Sequence, residues 1–163
     1  MFYLGVGAVG RVFRVKTLGN CSGALKITVG SSLVSSLYHE IDSYKNFEHL
    51  HLSMSNFREH SKVHPEGLYG GLVSFPVGSE PKFSNKETFL AAKESLKELF
   101  ESGVVHGDAR CPNFLYCKVE KRYFWADLRT VRRVNAGIAD FDTTFFVEDH
   151  YTRYGSILKG KSG

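Results

Sequence analysis

The sequence is short of several things, and each shortage removes a class of protein. Cysteine occurs three times, as Cys21, Cys111 and Cys117, with no CxxC spacing and no matching histidine pattern. That excludes a disulfide framework and a zinc ribbon, and reads as free thiols in a reducing, intracellular compartment. No apolar run approaches the ~18 residues of a membrane helix, so no membrane partner is expected. The N-terminus lacks the layout of a signal peptide, and Met1 leads almost directly into Gly5. A secretion signal is therefore expected only in a segment outside this sequence, as for a domain cut from a longer protein. Charge of one sign is scarce too: 21 Lys+Arg against 17 Asp+Glu leave +4. That balance suits an anionic ligand such as a nucleotide and does not by itself argue for DNA or RNA.

What is present is a core. Hydrophobic residues make 42% and aromatics 13% of 163 residues, enough for one domain or two small lobes sharing a seam. Phe2 to Val6 predicts a strand, and Val9 to Lys16 alternates as its hairpin partner. Ala24 to Val29 predicts a third strand. Ser31 or Ser32 is expected to cap a helix to about His49, with Leu33, Leu37, Ile41 and Tyr44 as its apolar stripe. Leu50 to Pro65 reads as loop, with room for one irregular strand. Gly67 to Val77, broken by Gly70-Gly71, reads as a hairpin or two edge strands, and Ser79 to Phe83 as a linker between lobes. Ser84 with Glu87 forms a capping-box signature for a helix carrying Phe89, Ala92, Leu96, Leu99 and Phe100, stopped by Gly103. Strands follow over Phe114 to Val119 and Arg122 to Ala126. A last helix is expected from Asp142 to Leu158, on the spacing of Val147, Tyr151, Tyr154 and Leu158.

Five features carry chemistry. Gly5-Val6-Gly7-Ala8-Val9-Gly10, followed by Val12, fits GxGxxGxV, yet the residues after Gly10 alternate as a strand and do not open a dinucleotide-binding helix. Glycines there also fit a tight hairpin with no ligand. Lys26 lies on the third strand, and Glu40 sits on or beside the buried face of the first helix, where a carboxylate is costly without a cation. His106-Gly107-Asp108 followed by Asn113 places a carboxylate and an amide in a turn between two apolar runs, with Arg110 two residues after Asp108. Asp127 comes directly after the second of the next two strands. A turn that merely satisfies itself accounts for Asp108 and Asn113, but not for Asp127.

Taken in order, these residues resemble the protein-kinase-like superfamily over nearly the whole chain. The loop His106-Gly107-Asp108-Ala109-Arg110-Cys111-Pro112-Asn113 resembles kinase-like domains of Crinkler-type effectors and related fungal and oomycete kinases, associated with action inside a host cell. The resemblance implies an α+β, two-lobed protein-kinase-like fold: a single minimal domain with an N-lobe over 1–78 and a reduced C-lobe over 79–163. It implies ATP and Mg²⁺ as cofactors and transfer to a hydroxyl, in the first place Ser or Thr of a protein substrate. Gly5, Val6, Gly7, Ala8, Val9, Gly10 and Val12 would cover the nucleotide, Lys26 held by Glu40 would grip its phosphates, and Val77 would donate to adenine. Asn113 and Asp127 would hold the metal, Asp108 would orient the nucleophile, and Arg110 would neutralise the transferring group. The same resemblance places the protein in the cytoplasm or nucleus, with delivery into a host cell as one route.

The departures are specific. HGD stands for HRD, as in aminoglycoside- and choline-kinase-like relatives, and Asp127-Leu128-Arg129 stands where DFG would. Only 36 residues follow Asp127, with no APE. A nucleotide-binding pseudokinase module and a small-molecule kinase are therefore rival readings, and truncated sheets with an exposed final helix are compatible with a homodimer that no residue demands. The run Arg129, Arg132, Arg133 fits a solvated edge or contact with an acidic substrate. His49, His51, His60 and His64 lack metal-site spacing.

Overall fold

The glycine-spaced start folds as its alternation predicts. The computed structural model describes residues 2–7, 10–16, 22–50, 69–74, 77–135 and 140–155. Strands β1 (Phe2–Gly7), β2 (Gly10–Lys16), β3 (Ser22–Val29) and β4 (Tyr69–Ser74) form one antiparallel sheet in sequence order. The Gly70-Gly71 pair does not turn. It runs straight through β4, opposite Thr28 and Ile27, because a ladder on β3 satisfies the backbone that a hairpin would leave at an edge. The expected Leu50–Pro65 loop falls almost wholly on residues 51–68, outside the described residues.

Helix α1 (Ser31–Asn46) packs on β3 and β4. Neither expected serine caps it. Gly30, at φ 101, makes the sharp exit from β3 and is itself the N-cap, leaving Ser31 and Ser32 exposed inside the first turn. The buried face is Val34, Leu37, Glu40, Ile41, Ser43 and Tyr44, so the stripe begins at Val34 rather than Leu33.

The chain divides into two compact units, Met1–Val77 and Gly78–Gly163. In the second, helix α2 (Lys86–Glu101) starts at Asn85, whose side chain accepts from Glu87 N at 2.9 Å, so the cap is one residue beyond the expected Ser84. Its buried face carries Phe89, Ala92, Leu96 and Leu99 as expected, with Phe100 only half-buried. Gly103 follows at φ 73. Strand β5 (Val104–Val105) pairs antiparallel with β8 (Arg132–Arg133), and β6 (Phe114–Cys117) with β7 (Arg122–Trp125). Both hairpin strands stop short of the expected Val119 and Ala126. Lys118–Lys121 is a turn, with Lys121 at φ 51 and Val119 90% exposed.

Ser79 to Phe83 is no linker. Ser79 exchanges two backbone hydrogen bonds with Tyr116 at 3.0 and 2.9 Å, and Phe83 is buried against Phe114, Phe146 and His150. Gly78 lets this edge close in, since a Cβ there would meet Leu115 and Phe124 at 2.7 Å. Helix α3 (Phe141–Tyr154) buries Asp142, Phe146 and His150 and leaves Tyr151 and Tyr154 outside. The expected stripe is thus turned away from the core, and Leu158 lies outside the described residues. Phe114, Trp125, Phe146 and Leu96 are fully buried, each adding roughly 1.5–3 kcal/mol of burial. The chain is α+β, and among the described residues no helix is long and apolar enough to cross a membrane.

Candidate functional site

In the first unit the sheet and α1 deliver one charge each to the same buried place. Lys26 lies on β3 opposite Val12 of β2, and buried Thr28, two residues on, shares its face. Glu40 comes from the buried face of α1. Lys26 Nζ meets Glu40 Oε2 at 2.7 Å, with side chains 10% and 3% exposed. A pair so desolvated holds a fixed geometry, because neither charge can leave without a large penalty.

The glycines of the first hairpin differ in their reasons. Gly7 and Gly10 are the last paired residues of β1 and β2, and Val6 pairs with Arg11. A Cβ on Gly10 would run into the backbone carbonyl of Ile27, so packing on β3 alone requires glycine there. A Cβ on Gly5 would meet nothing within 4 Å, so no packing explains that residue. Ala8 and Val9 lie outside the described residues. Val77, the expected adenine donor, is half-buried at the end of this unit.

The second unit builds a dense loop between β5 and β6. Asp108 receives Arg110 Nε on Oδ1 at 2.7 Å and Arg110 Nη2 on Oδ2 at 3.0 Å. Asn113 Nδ2 donates both to the Asp108 carbonyl at 2.9 Å and to Oδ2 at 3.0 Å. Arg110 therefore sits on Asp108 itself. A 3-10 turn over Cys111–Asn113 presents Asn113, whose carbonyl accepts from Ala126 N at 2.8 Å. That bond fixes the exit of β7, and the next residue is Asp127. It stands at φ 61, ψ 65, left-handed for a non-glycine residue, with Arg129 Nε 3.8 Å from its Oδ1. Asp108, Arg110, Asn113 and Asp127 thus belong to one hydrogen-bonded neighbourhood.

His106 is its buried hinge. The ring accepts from Asp108 N on Nδ1 at 3.3 Å, so the proton lies on Nε2, which donates to the Ala126 carbonyl at 3.0 Å. The backbone N–H groups of His106 and Gly107 both donate to Asp142 of α3, at 2.5 and 2.9 Å. Gly107 stands at φ 79, and a Cβ there would meet the Thr130 carbonyl at 2.7 Å, so no arginine fits in its place. Asp142 is the loop-holding residue that the sequence concealed: it is 36 positions from His106, and an acid in a helix's first turn is ordinary.

The chain matches no family model and no curated protein sequence.

Burial lowers the His106 pKa from 6.5, and the carboxylates of Asp142, Asp127 and Asp108 and the Ala126 carbonyl only partly oppose it. The unfolded chain therefore binds the extra proton first, so this residue's contribution is present above pH ~6.5 and lost as pH falls. Urea unfolding followed through Trp125, the only tryptophan, should show a lower midpoint at pH 5.5 than at pH 7.5. Substituting His106→Gln should flatten that difference.

The donor set suits a hard cation shared with a phosphate. Asn113 spends its NH₂ on Asp108, which leaves Oδ1 as an acceptor, and Asp127 offers a carboxylate one residue after the Ala126 amide that bonds to the Asn113 carbonyl. Among the described residues, no three His, Cys, Asp or Glu side chains gather to hold a metal by themselves. Mg²⁺ commonly takes one or two protein oxygens and completes its shell with phosphate and water.

Proposed function

We propose that the chain is an ATP- and Mg²⁺-dependent phosphotransferase of the protein-kinase-like type, with a two-lobed fold whose lower lobe is reduced. The observation that carries the reading is Asp108, oriented by Asn113 and Arg110, one β-hairpin before a left-handed Asp127. The buried Lys26–Glu40 pair supports it independently from the first unit, as the charge pair that phosphate-gripping lysines need. In this reading Lys26 binds the phosphates, and Gly5 gives them backbone without a side chain in the way. Asn113 and Asp127 hold Mg²⁺, which when bound neutralises phosphate oxygens. Asp108 orients the acceptor hydroxyl and takes its proton on a carboxylate oxygen. The acceptor is a Ser or Thr hydroxyl of a protein, and the resemblance to Crinkler-type effector kinases belongs to the same proposal.

A transfer assay with γ-³²P-labelled ATP and Mg²⁺ tests this on a panel of proteins and of aminoglycoside- and choline-like alcohols. Asp108→Asn, which keeps an acceptor for Asn113, should lower the rate about 10²–10⁴-fold. Equal rates would sink the assignment. One observation favours a second reading, a nucleotide-binding module without turnover: both Asp108 oxygens are already engaged. Thermal stabilisation by ATP and Mg²⁺ with no phosphorylated product on any acceptor would select it.

A further inference from the structure

Helix α3 touches the loop around Asp108 twice. Asp142 accepts the N–H groups of His106 and Gly107 at the loop's entrance. Seven residues on, Asp149 Oδ2 accepts Cys111 N at 2.8 Å, where the 3-10 turn begins. Seven residues are about two helical turns, so the two carboxylates project within ~20° of each other and ~10.5 Å apart along the axis. Asp108 lies between them, two residues after His106 and three before Cys111. We infer that Asp149 is a positioning residue: with Asp142 it lashes both ends of the Asp108 loop to one rigid helix.

Three observations support a held carboxylate at this point. Arg153, one turn further along α3, donates Nε to Asp149 Oδ1 at 2.9 Å, which leaves Oδ2 aimed at the loop. The Asp149 side chain is only 13% exposed. Burial pushes its carboxyl upward, yet the bonds from Arg153 and from the Cys111 N–H and thiol outweigh that and hold it below the ordinary range. Cys111, whose N–H the Asp149 carboxylate accepts, is fully buried. While the lashing holds, that thiol is covered. Its alkylation therefore reports release of the loop end, with no reference to catalysis.

Because the inference rests on the phosphotransferase reading, its test has two arms on the full chain. In the first, iodoacetamide labelling of Cys111 is followed by peptide mass spectrometry. Asp149→Ala should label at least about tenfold faster than wild type, and Asp149→Asn, which keeps an acceptor oxygen, within about threefold. Arg153→Gln, on a half-exposed side chain, should be severalfold faster with the fold intact. In the second arm, Asp149→Ala should lower kcat for transfer about 10- to 100-fold, the scale of a ~1 Å misplacement. The KM for ATP should not change, and Asp149→Asn should restore most of kcat. Wild-type labelling in both Asp149→Ala and Arg153→Gln overturns the lashing. Faster labelling with unchanged kcat, where Asp108→Asn is inactive, overturns the positioning role. If Asp108→Asn transfers as fast as wild type, the phosphotransferase reading fails, and the labelling arm alone decides whether Asp149 holds the loop.

Discussion

Glu40→Ala will lower the stability of the first unit by about 3–5 kcal/mol, the cost of removing one member of a buried ion pair. Lys26 is 8% exposed on β3, and its ammonium would keep its burial while losing the carboxylate 2.7 Å away. The loss should appear as faster amide exchange across β3 and α1, while Trp125 fluorescence, which belongs to the second unit, is unmoved. The double variant Lys26→Met/Glu40→Leu separates stability from function. Apolar replacement of a buried pair is often neutral or better, so exchange should return to the wild-type pattern. ATP binding, which the proposed function assigns to Lys26, should stay lost. Retained ATP affinity in a well-folded double variant would remove Lys26 from the site.

Asp142→Ala will have the largest effect in the second unit. Two backbone N–H groups, of His106 and Gly107, lose their acceptor at a residue 1% exposed. Each orphaned group costs about 1–3 kcal/mol, so the pair amounts to roughly 2–6 kcal/mol. Asp142→Asn should recover about half, since its amide has one oxygen to offer and its NH₂ would face the other N–H. Exchange of the His106 and Gly107 amides in the intact chain measures this directly. Wild-type protection in Asp142→Ala would show that the carboxylate does not hold the loop.

Some of this was legible in the sequence because the signal was local. Glu40 on or beside the apolar stripe of α1 demanded a cation, and the kinase-like arrangement pointed to Lys26 on the strand before it. Asp108, Asn113 and Asp127 stood out because strand-forming runs framed them. Where two local signals were equivalent, the reading slipped: Ser84 and Asn85 are both good caps, and only the observed bond to Glu87 N separates them. Gly70-Gly71 invites a turn locally, but pairing with β3 is a long-range event and prevails. In α3 the error has a different cause. Tyr151 and Tyr154 look like core, whereas the buried face carries Asp142 and His150, both polar, on either side of Phe146. Each is admitted because it has a partner: His150 Nε2 reaches the Phe83 carbonyl at 3.1 Å, and Asp142 has its two amides. Tyr154 can stay outside because its hydroxyl donates to Glu80 at 2.7 Å. No periodicity encodes such partners, because they lie 35 to 74 positions away.

The helix that holds the Asp108 loop is made after it. The acceptors for His106 and Cys111 lie 36 and 38 residues downstream. At roughly 5–20 residues per second of synthesis, the loop waits about 2–7 s on the ribosome before α3 exists to hold it. Once Asp127 has been added, 15 residues before Asp142, the nascent chain contains every residue proposed to bind nucleotide and metal, yet its proposed catalytic carboxylate still has no fixed place. If the proposed function holds, competence arrives only with translation of α3.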